Sequence, residues 1–155
     1  MKIAIGSDHR GFEAKQQIKA IITTLGHEAI DAGTTDSNPV DYPDFAYVAA
    51  TAVAKKQADR AILVCATGIG MSIVANKIKG IRAAICHDEL NAGISRDHND
   101  ANVLCISGDQ TSGILLRKIV EVWLNTDFGG GRHQRRVNKI TAIEEGKRPD
   151  TVKNS

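Results

Sequence analysis

Five short apolar runs, each followed by a segment with helical spacing, constrain this chain more than any other feature. The runs are Lys2-Ile-Ala-Ile-Gly6, Glu28 to Ala32, Ala61 to Val64, Ile81 to Cys86 and Asn102 to Ser107. Between them lie segments too long for hairpins. Ile18, Ile21, Ile22 and Leu25 mark the first, and Phe45, Val48, Ala49, Ala52 and Val53 the second. Ile73, Val74, Ala75 and Ile78 mark a third that runs to about Lys79, and Glu89 to about Arg96 forms a shorter fourth. Ile114, Leu115, Ile119, Val122 and Trp123 mark a long fifth, and a last helix from Arg132 is expected to carry Val137, Ile140 and Ile143 inward. Strands that alternate with helices pair in parallel and are covered on both faces. The expectation is an α/β fold: a three-layer α/β/α sandwich with a five-stranded parallel, Rossmann-like sheet plus a C-terminal helix. Residues 1–146 form one domain on this reading, and 147–155 a polar, frayed tail.

Composition removes several function classes. A net charge of +2 supplies no field that would draw the whole protein to nucleic acid or to a membrane. No apolar run approaches the roughly 18 residues that span a bilayer, and the chain enters a strand at once, so a cytoplasmic location is expected. Cys65, Cys86 and Cys105 are odd in number and each closes or sits within an apolar run, which points to reduced thiols. No Cys or His spacing resembles a zinc site.

Parallel sheets of this kind bind ligands beyond the carboxyl ends of their strands, where the winding reverses. If the first and third strands are neighbours there, Ser7-Asp8-His9 meets the turn Cys65-Ala66-Thr67-Gly68-Ile69-Gly70-Met71-Ser72. A strand, a tight glycine turn and a helix start aim N–H groups and a positive dipole end at one spot. An oxygen that gains charge during a reaction is favoured there, as is the anionic form of a neighbouring thiol. The turn fits no alternative well. A thiolate phosphatase needs arginine six positions beyond the cysteine, where Met71 stands; Gly-Lys-Ser/Thr is missing; and Ile73 stands where a dinucleotide fingerprint wants a third glycine. A proton-transferring thiol beside an oxyanion cradle remains.

Two further features lie elsewhere in the chain. Arg132 and Arg136, four apart at a helix start after Gly129-Gly130-Gly131, share one face suited to a phosphate. The patch is short and lacks interleaved aromatics, which argues against nucleic acid. His98-Asn99-Asp100 precedes the fifth strand, at the edge opposite Cys65, so either the path is unusual or a partner chain supplies it.

Together these motifs resemble the type B ribose-5-phosphate isomerase family, which includes galactose and allose phosphate isomerases. The carriers are Gly6-Ser-Asp8-His9-x-Gly11, Asp41-Tyr42-Pro43, the run from Cys65 to Lys77, Gly80-Ile-Arg82-Ala83, Ser95-Arg96-x-His98-Asn99-Asp100-x-Asn102 and Gly130-Gly131-Arg132-His133. The resemblance implies aldose–ketose isomerisation through a cis-enediolate without metal or other cofactor. It implies that Cys65 moves the proton and that Thr67 and His98 help open the sugar ring. The amides of Ala66, Thr67, Gly68, Ile69 and Gly70, with Ser72, would form the enediolate hole. Asp8, His9, Tyr42 and Asn99 would contact the sugar or its phosphate, and Arg132 and Arg136 would clamp the phosphate. The implied partners are a small phosphorylated sugar and further copies of the chain, a homodimer or dimer of dimers with shared sites. The family usually has glycine at Ala66, and many relatives carry arginine at Asp109. The second departure motivates one alternative, another aldose (allose or galactose 6-phosphate, or an unphosphorylated sugar); a non-catalytic sugar-phosphate-binding subunit is a further alternative, against which the retained Cys65, Thr67 and His98 speak.

Overall fold

A computed structural model describes residues 1–111 and 113–152. Twelve elements follow one another: β1 (Lys2–Ser7), α1 (Phe12–Thr24), β2 (Glu28–Asp31), α2 (Tyr42–Ala54), β3 (Arg60–Cys65), α3 (Ile69–Ala75), β4 (Ala83–Ile85), α4 (Glu89–Asn99), β5 (Val103–Ser107), α5 (Gly113–Asn125), α6 (Arg132–Glu144) and a 3₁₀ turn at Pro149–Thr151. The five strands form one parallel sheet in the order β2-β1-β3-β5-β4. Of the expected tail, residues 153–155 lie outside the described part.

Alternation along the strands builds two cores. Ile3, Ile5, Ile62, Val64, Leu104 and Ile106 face α1, α4 and α5, where Trp123 is fully buried. Ala4, Ala61, Leu63, Cys65, Val103 and Cys105 face α2 and α3. The chain therefore leaves β1 and β5 toward one face and β3, which lies between them, toward the other. That divergence opens the ligand edge at the strand ends, where Ser7 pairs with Val64 and Cys65 with Ser107.

Local chemistry moved several boundaries. The helix after β3 stops at Ala75 and not near Lys79 because Asn76 turns its amide to the next strand: its Nδ2 donates to the Ala83 carbonyl and its Oδ1 accepts from the Ala83 N–H, both at 2.9 Å. Strand β4 shrinks to Ala83–Ile85 because the Arg82 N–H is taken by the Asn102 side chain. Helix α4 outlasts Arg96 and ends on Asp100, whose φ of 45° is left-handed and whose carboxylate holds Arg96 and Arg82. In α2 the buried stripe is Ala46, Ala49, Ala50 and Val53, while Val48 faces outward. Small alanines let α2 approach β1 so closely that a Cβ on Gly6 would lie 3.0 Å from the Phe45 carbonyl. Ile140 and Ile143 correct a sequence expectation: only Val137 of that trio turns inward, and the two isoleucines are 44% and 59% exposed.

Lys15 is fully buried and charged, and it survives because its Nζ donates to the Asp31 carboxylate at 2.6 Å and to the Thr34 carbonyl at 2.5 Å. Burial pushes the Asp31 pKa up, but Lys15, Lys19 and the Gly33 N–H outweigh it and hold the carboxyl below its ordinary range. A depressed carboxyl stabilises the fold above its unfolded pKa and loses that contribution as pH falls through the folded one. Asp31→Asn is expected to cost about 3 kcal/mol at neutral pH, the lower bound of the range for an orphaned buried charge because Asp31 is one-third exposed. Urea melts at pH 7 and near pH 3 check this, since the difference from wild type shrinks at the acid end.

Candidate active site

The sulphur of Cys65 sits at the head of α3, where the Gly68 N–H donates to it at 3.1 Å, a contact that a thiolate accepts. Gly68 reaches that position with φ at 78°, and its α-carbon lies so close to Ile106 that an added Cβ would stand 3.2 Å from the backbone. Both requirements favour glycine. The Ile69 N–H is turned to Thr67 Oγ1 at 3.3 Å. The expected cradle of amides is therefore partly spent on the turn itself, while among the described residues the N–H groups of Ala66, Thr67 and Gly70 meet no acceptor. Tyr42 closes this side: a Cβ on Gly70 would come 2.5 Å from its ring and 3.0 Å from its hydroxyl oxygen. Ser72 follows on the same short helix, with its N–H bonded to the Gly68 carbonyl.

The neighbouring loops are set by short bonds. Asp8 is buried and its carboxylate accepts the Gly11 N–H at 2.9 Å, while its own N–H donates to the Val64 carbonyl. The Val40 N–H donates to Nδ1 of His9 at 3.2 Å, which ties the ring to the loop before α2. On the other side, the Gly108 N–H donates to the Cys65 carbonyl at 2.8 Å and Ser107 Oγ donates to the Ala66 carbonyl at 2.6 Å. Asp8, His9, Tyr42, Cys65, Ala66, Thr67, Gly68, Ile69, Gly70 and Ser72 thus gather at one edge. Sequence reasoning missed Val40, Ser107 and Arg10 there. Only Arg10 left a signal, a cation beside Asp8-His9; Val40 acts through its backbone N–H, and Ser107 through a hydroxyl whose partner is a backbone carbonyl 41 positions away.

A second group gathers at the opposite edge. Register pairs Ala61 with Val103 and Cys65 with Ser107, so the start and end of β5 are four residues, roughly 13 Å, apart. His98 belongs to the last turn of α4, just before that start. Its Nε2 lies 3.2 Å from the Asp97 carboxylate, and its ring stacks on His133 with centroids 4.1 Å apart. The glycine triplet makes this stack possible. Gly129 wraps over Asp97, with its N–H on the Asp97 carbonyl at 3.0 Å and no room for a Cβ, while Gly130 and Gly131 adopt positive φ. His133 is held below its ordinary pKa by burial first and then by His98, Arg132 and Arg136, against Asp97. Arg132 and Arg136 remain exposed beside it. Asn99 gives its carbonyl to Arg82 and lines a groove of about 520 Å³ with Ile81, Ala83, Ile140 and Ile143. Within one chain, then, His98, Asn99, Arg132 and Arg136 do not join Cys65. Among the described residues, no group of three or more His, Cys, Asp or Glu side chains is placed to hold a metal ion, and no helix is long and apolar enough to cross a membrane.

The profile described as Ribose/Galactose Isomerase matches residues 3–140, which takes in both groups. This chain belongs to the ribose/galactose isomerase family. Ribose-5-phosphate isomerase B of Escherichia coli is 50% identical over 145 residues, covering 93% of this chain and 97% of that protein. Ribose-5-phosphate isomerase B of Clostridium thermocellum superposes with a TM-score of 0.93 at 47% identity, covering 94% and 99% of the two chains. The structure of ribose-5-phosphate isomerase B from Mycoplasma genitalium, which holds bound ribulose-5-phosphate, gives a TM-score of 0.88 at 41% identity over 93% and 96%. Among the three cysteines of this family member, burial pushes the Cys86 thiol up to about 11 and the Cys105 thiol well above its ordinary value. Cys65 is the thiol that ends a strand at the ligand edge.

Proposed function

We propose that this chain is a sugar-phosphate isomerase that interconverts ribose 5-phosphate and ribulose 5-phosphate through a cis-enediolate. The observation that carries the reading is the Cys65 sulphur, anchored by the Gly68 N–H beside the amides of Thr67 and Gly70. Moving a proton between adjacent carbons needs a base and oxyanion donors flanking the same two atoms. His98 and Thr67 open the furanose ring by moving the O1 hydroxyl proton to the ring oxygen, which breaks the C1–O bond to the ring and leaves the C1 aldehyde. The Cys65 thiolate then takes the proton from C2, while negative charge grows on the C1 oxygen and is met by the turn amides. The thiol, whose proton exchanges with water, gives a proton to C1 while the O2 hydroxyl proton passes to O1, which leaves a C1 hydroxyl and the C2 ketone. Asp8, His9, Tyr42 and Asn99 hold sugar hydroxyls, and Arg132 and Arg136 hold the phosphate, whose binding keeps the open chain in register. The reaction uses no cofactor, and the site of action is the cytoplasm.

The separation of the two groups supports an assembly in which His98, Asn99, Arg132 and Arg136 of one copy complete the Cys65 site of another, in a homodimer or dimer of dimers. Apolar side chains are available for such contact. Tyr47, Val48, Ile69 and Ile73 are exposed on α2 and α3, and Ile140 and Ile143 line the groove beside α6. Nuclear magnetic resonance of ribose 5-phosphate turned over in heavy water tests the chemistry. Deuterium at C1 of the ribulose 5-phosphate is expected, and a product with no exchange under any condition, or no turnover at all, would reject the enediolate or the activity.

A further inference from the structure

The Arg10 guanidinium and the Asp109 carboxylate meet across the ligand edge, Nη2 to Oδ2 at 2.5 Å and Nε to Oδ1 at 3.3 Å. Each belongs to a loop fixed to the Cys65 turn. Arg10 follows Asp8-His9 and precedes Gly11, whose N–H is bonded to Asp8. Asp109 follows Gly108, whose N–H holds the Cys65 carbonyl, and its own N–H reaches the Ala66 carbonyl at 3.4 Å. The two loops touch backbone to backbone, since a Cβ on Gly108 would lie 3.1 Å from the Arg10 carbonyl and 3.4 Å from that of Cys65. The pair is therefore carried by two loops that border the turn, and its side chains are 57% and 36% exposed.

We propose that the Arg10–Asp109 pair is a specificity-determining contact that reads hydroxyl groups of the sugar and takes no part in holding the phosphate. The inference rests on the isomerase reading above. Its grounds are charge and hydrogen-bond stock. Nε and one Nη2 proton are spent on Asp109, which leaves both Nη1 protons and the second Nη2 proton as donors, and the carboxylate keeps lone pairs as acceptors. A hydroxyl group donates and accepts at once, and a fixed donor–acceptor pair matches two neighbouring hydroxyls. A dianion finds little net attraction there, because the pair carries no net charge and the carboxylate bonded to the guanidinium offsets its field. The phosphate is better served by Arg132 and Arg136, which no carboxylate pairs among the described contacts.

Steady-state kinetics of Arg10→Ala and Asp109→Ala with ribose 5-phosphate, together with competitive inhibition by inorganic phosphate, test the assignment. Each variant is expected to raise KM by about tenfold, the scale of one charge-assisted hydrogen bond. kcat is expected to stay within about threefold and the phosphate inhibition constant within about twofold, because the phosphate end is untouched. Asp109→Asn keeps one acceptor and the shape of the side chain, so its KM falls between wild type and Asp109→Ala. A lower KM and tighter phosphate inhibition in Asp109→Ala would place the pair against the phosphate and overturn the proposal. A fall in kcat with KM unchanged, or no change in either, would leave the pair only a staple between loops and overturn it as well. If wild type turns nothing over, the isomerase reading fails separately; calorimetric binding of ribose 5-phosphate to the same variants then still shows whether the pair touches the sugar.

Discussion

Cys65→Ser is expected to lower kcat for ribose 5-phosphate by about 10²–10⁴-fold, the range for removing a positioned general base. KM is expected to move by no more than about threefold, since on the proposed mechanism the thiol acts on a proton in the transition state and contributes little to holding the ground state. Serine keeps the size and the Gly68 N–H contact, so the turn retains its shape and the loss isolates the chemistry of sulphur. A hydroxyl gives up its proton far less readily than a thiol, so it cannot serve as the base near neutral pH. Neither remaining thiol can substitute. Cys86 and Cys105 are buried, with burial raising the first to about 11 and the second well above its ordinary value, and both lie within the cores and away from the ligand edge. Initial rates at saturating substrate, with circular dichroism to confirm the fold, check the result. Undiminished turnover would remove Cys65 from the mechanism, and absence of turnover in wild type would favour the reading of a non-catalytic binding subunit.

Strand and helix types were legible because each run carries a period that physics reads directly, alternating apolar faces at β1, β3 and β5 and helical spacing in α1 and α5. The convergence of Asp8-His9 with the Cys65 turn followed from topology alone, and the register of β1 on β3 places them side by side. What escaped were effects settled by partners distant in sequence. Asn76 ends α3 by binding Ala83, and Asp100 extends α4 by gathering Arg96 and Arg82; neither partner is visible from local propensity. Asp109 gives the clearest case. In sequence it is a negative charge at an edge that would bind an anion, which raised doubt about a phosphorylated substrate. In the structure Arg10, 99 positions away, neutralises it. The buried histidine His133 was read only as part of a motif, because its stack on His98 depends on how three glycines bend the chain. Ile140 and Ile143 satisfied a helical period and still face outward, since periodicity marks an apolar stripe and not what covers it.

Two inactive variants are expected to restore activity when mixed. Cys65→Ser removes the proposed base at one edge, and His98→Asn removes the proposed ring-opening acid at the other. If each site combines the Cys65 edge of one chain with the His98 edge of its partner, a mixed dimer contains one site with both lesions and one with neither. Random re-pairing makes half the dimers mixed, so about a quarter of wild-type activity returns, as two-fold symmetry requires. Each variant alone stays at or below about one hundredth of wild type, the lower bound for losing a general acid or base, so the gain stands well clear of background. Co-expression with two different tags, followed by double affinity selection, raises the expected figure to about half, because every selected dimer is then mixed. Sites built within single chains give the opposite result: every chain in the mixture carries a lesion in its own site, and activity remains at the mean of the two parents. The geometry makes the outcome sharp. Four residues of strand lie between the two edges, Ala61 paired with Val103 at one end and Cys65 with Ser107 at the other. No rotamer of His98 covers that span, which at roughly 13 Å exceeds the reach of an imidazole side chain. Recovery on mixing would therefore assign both the assembly and the donor of each edge in one measurement.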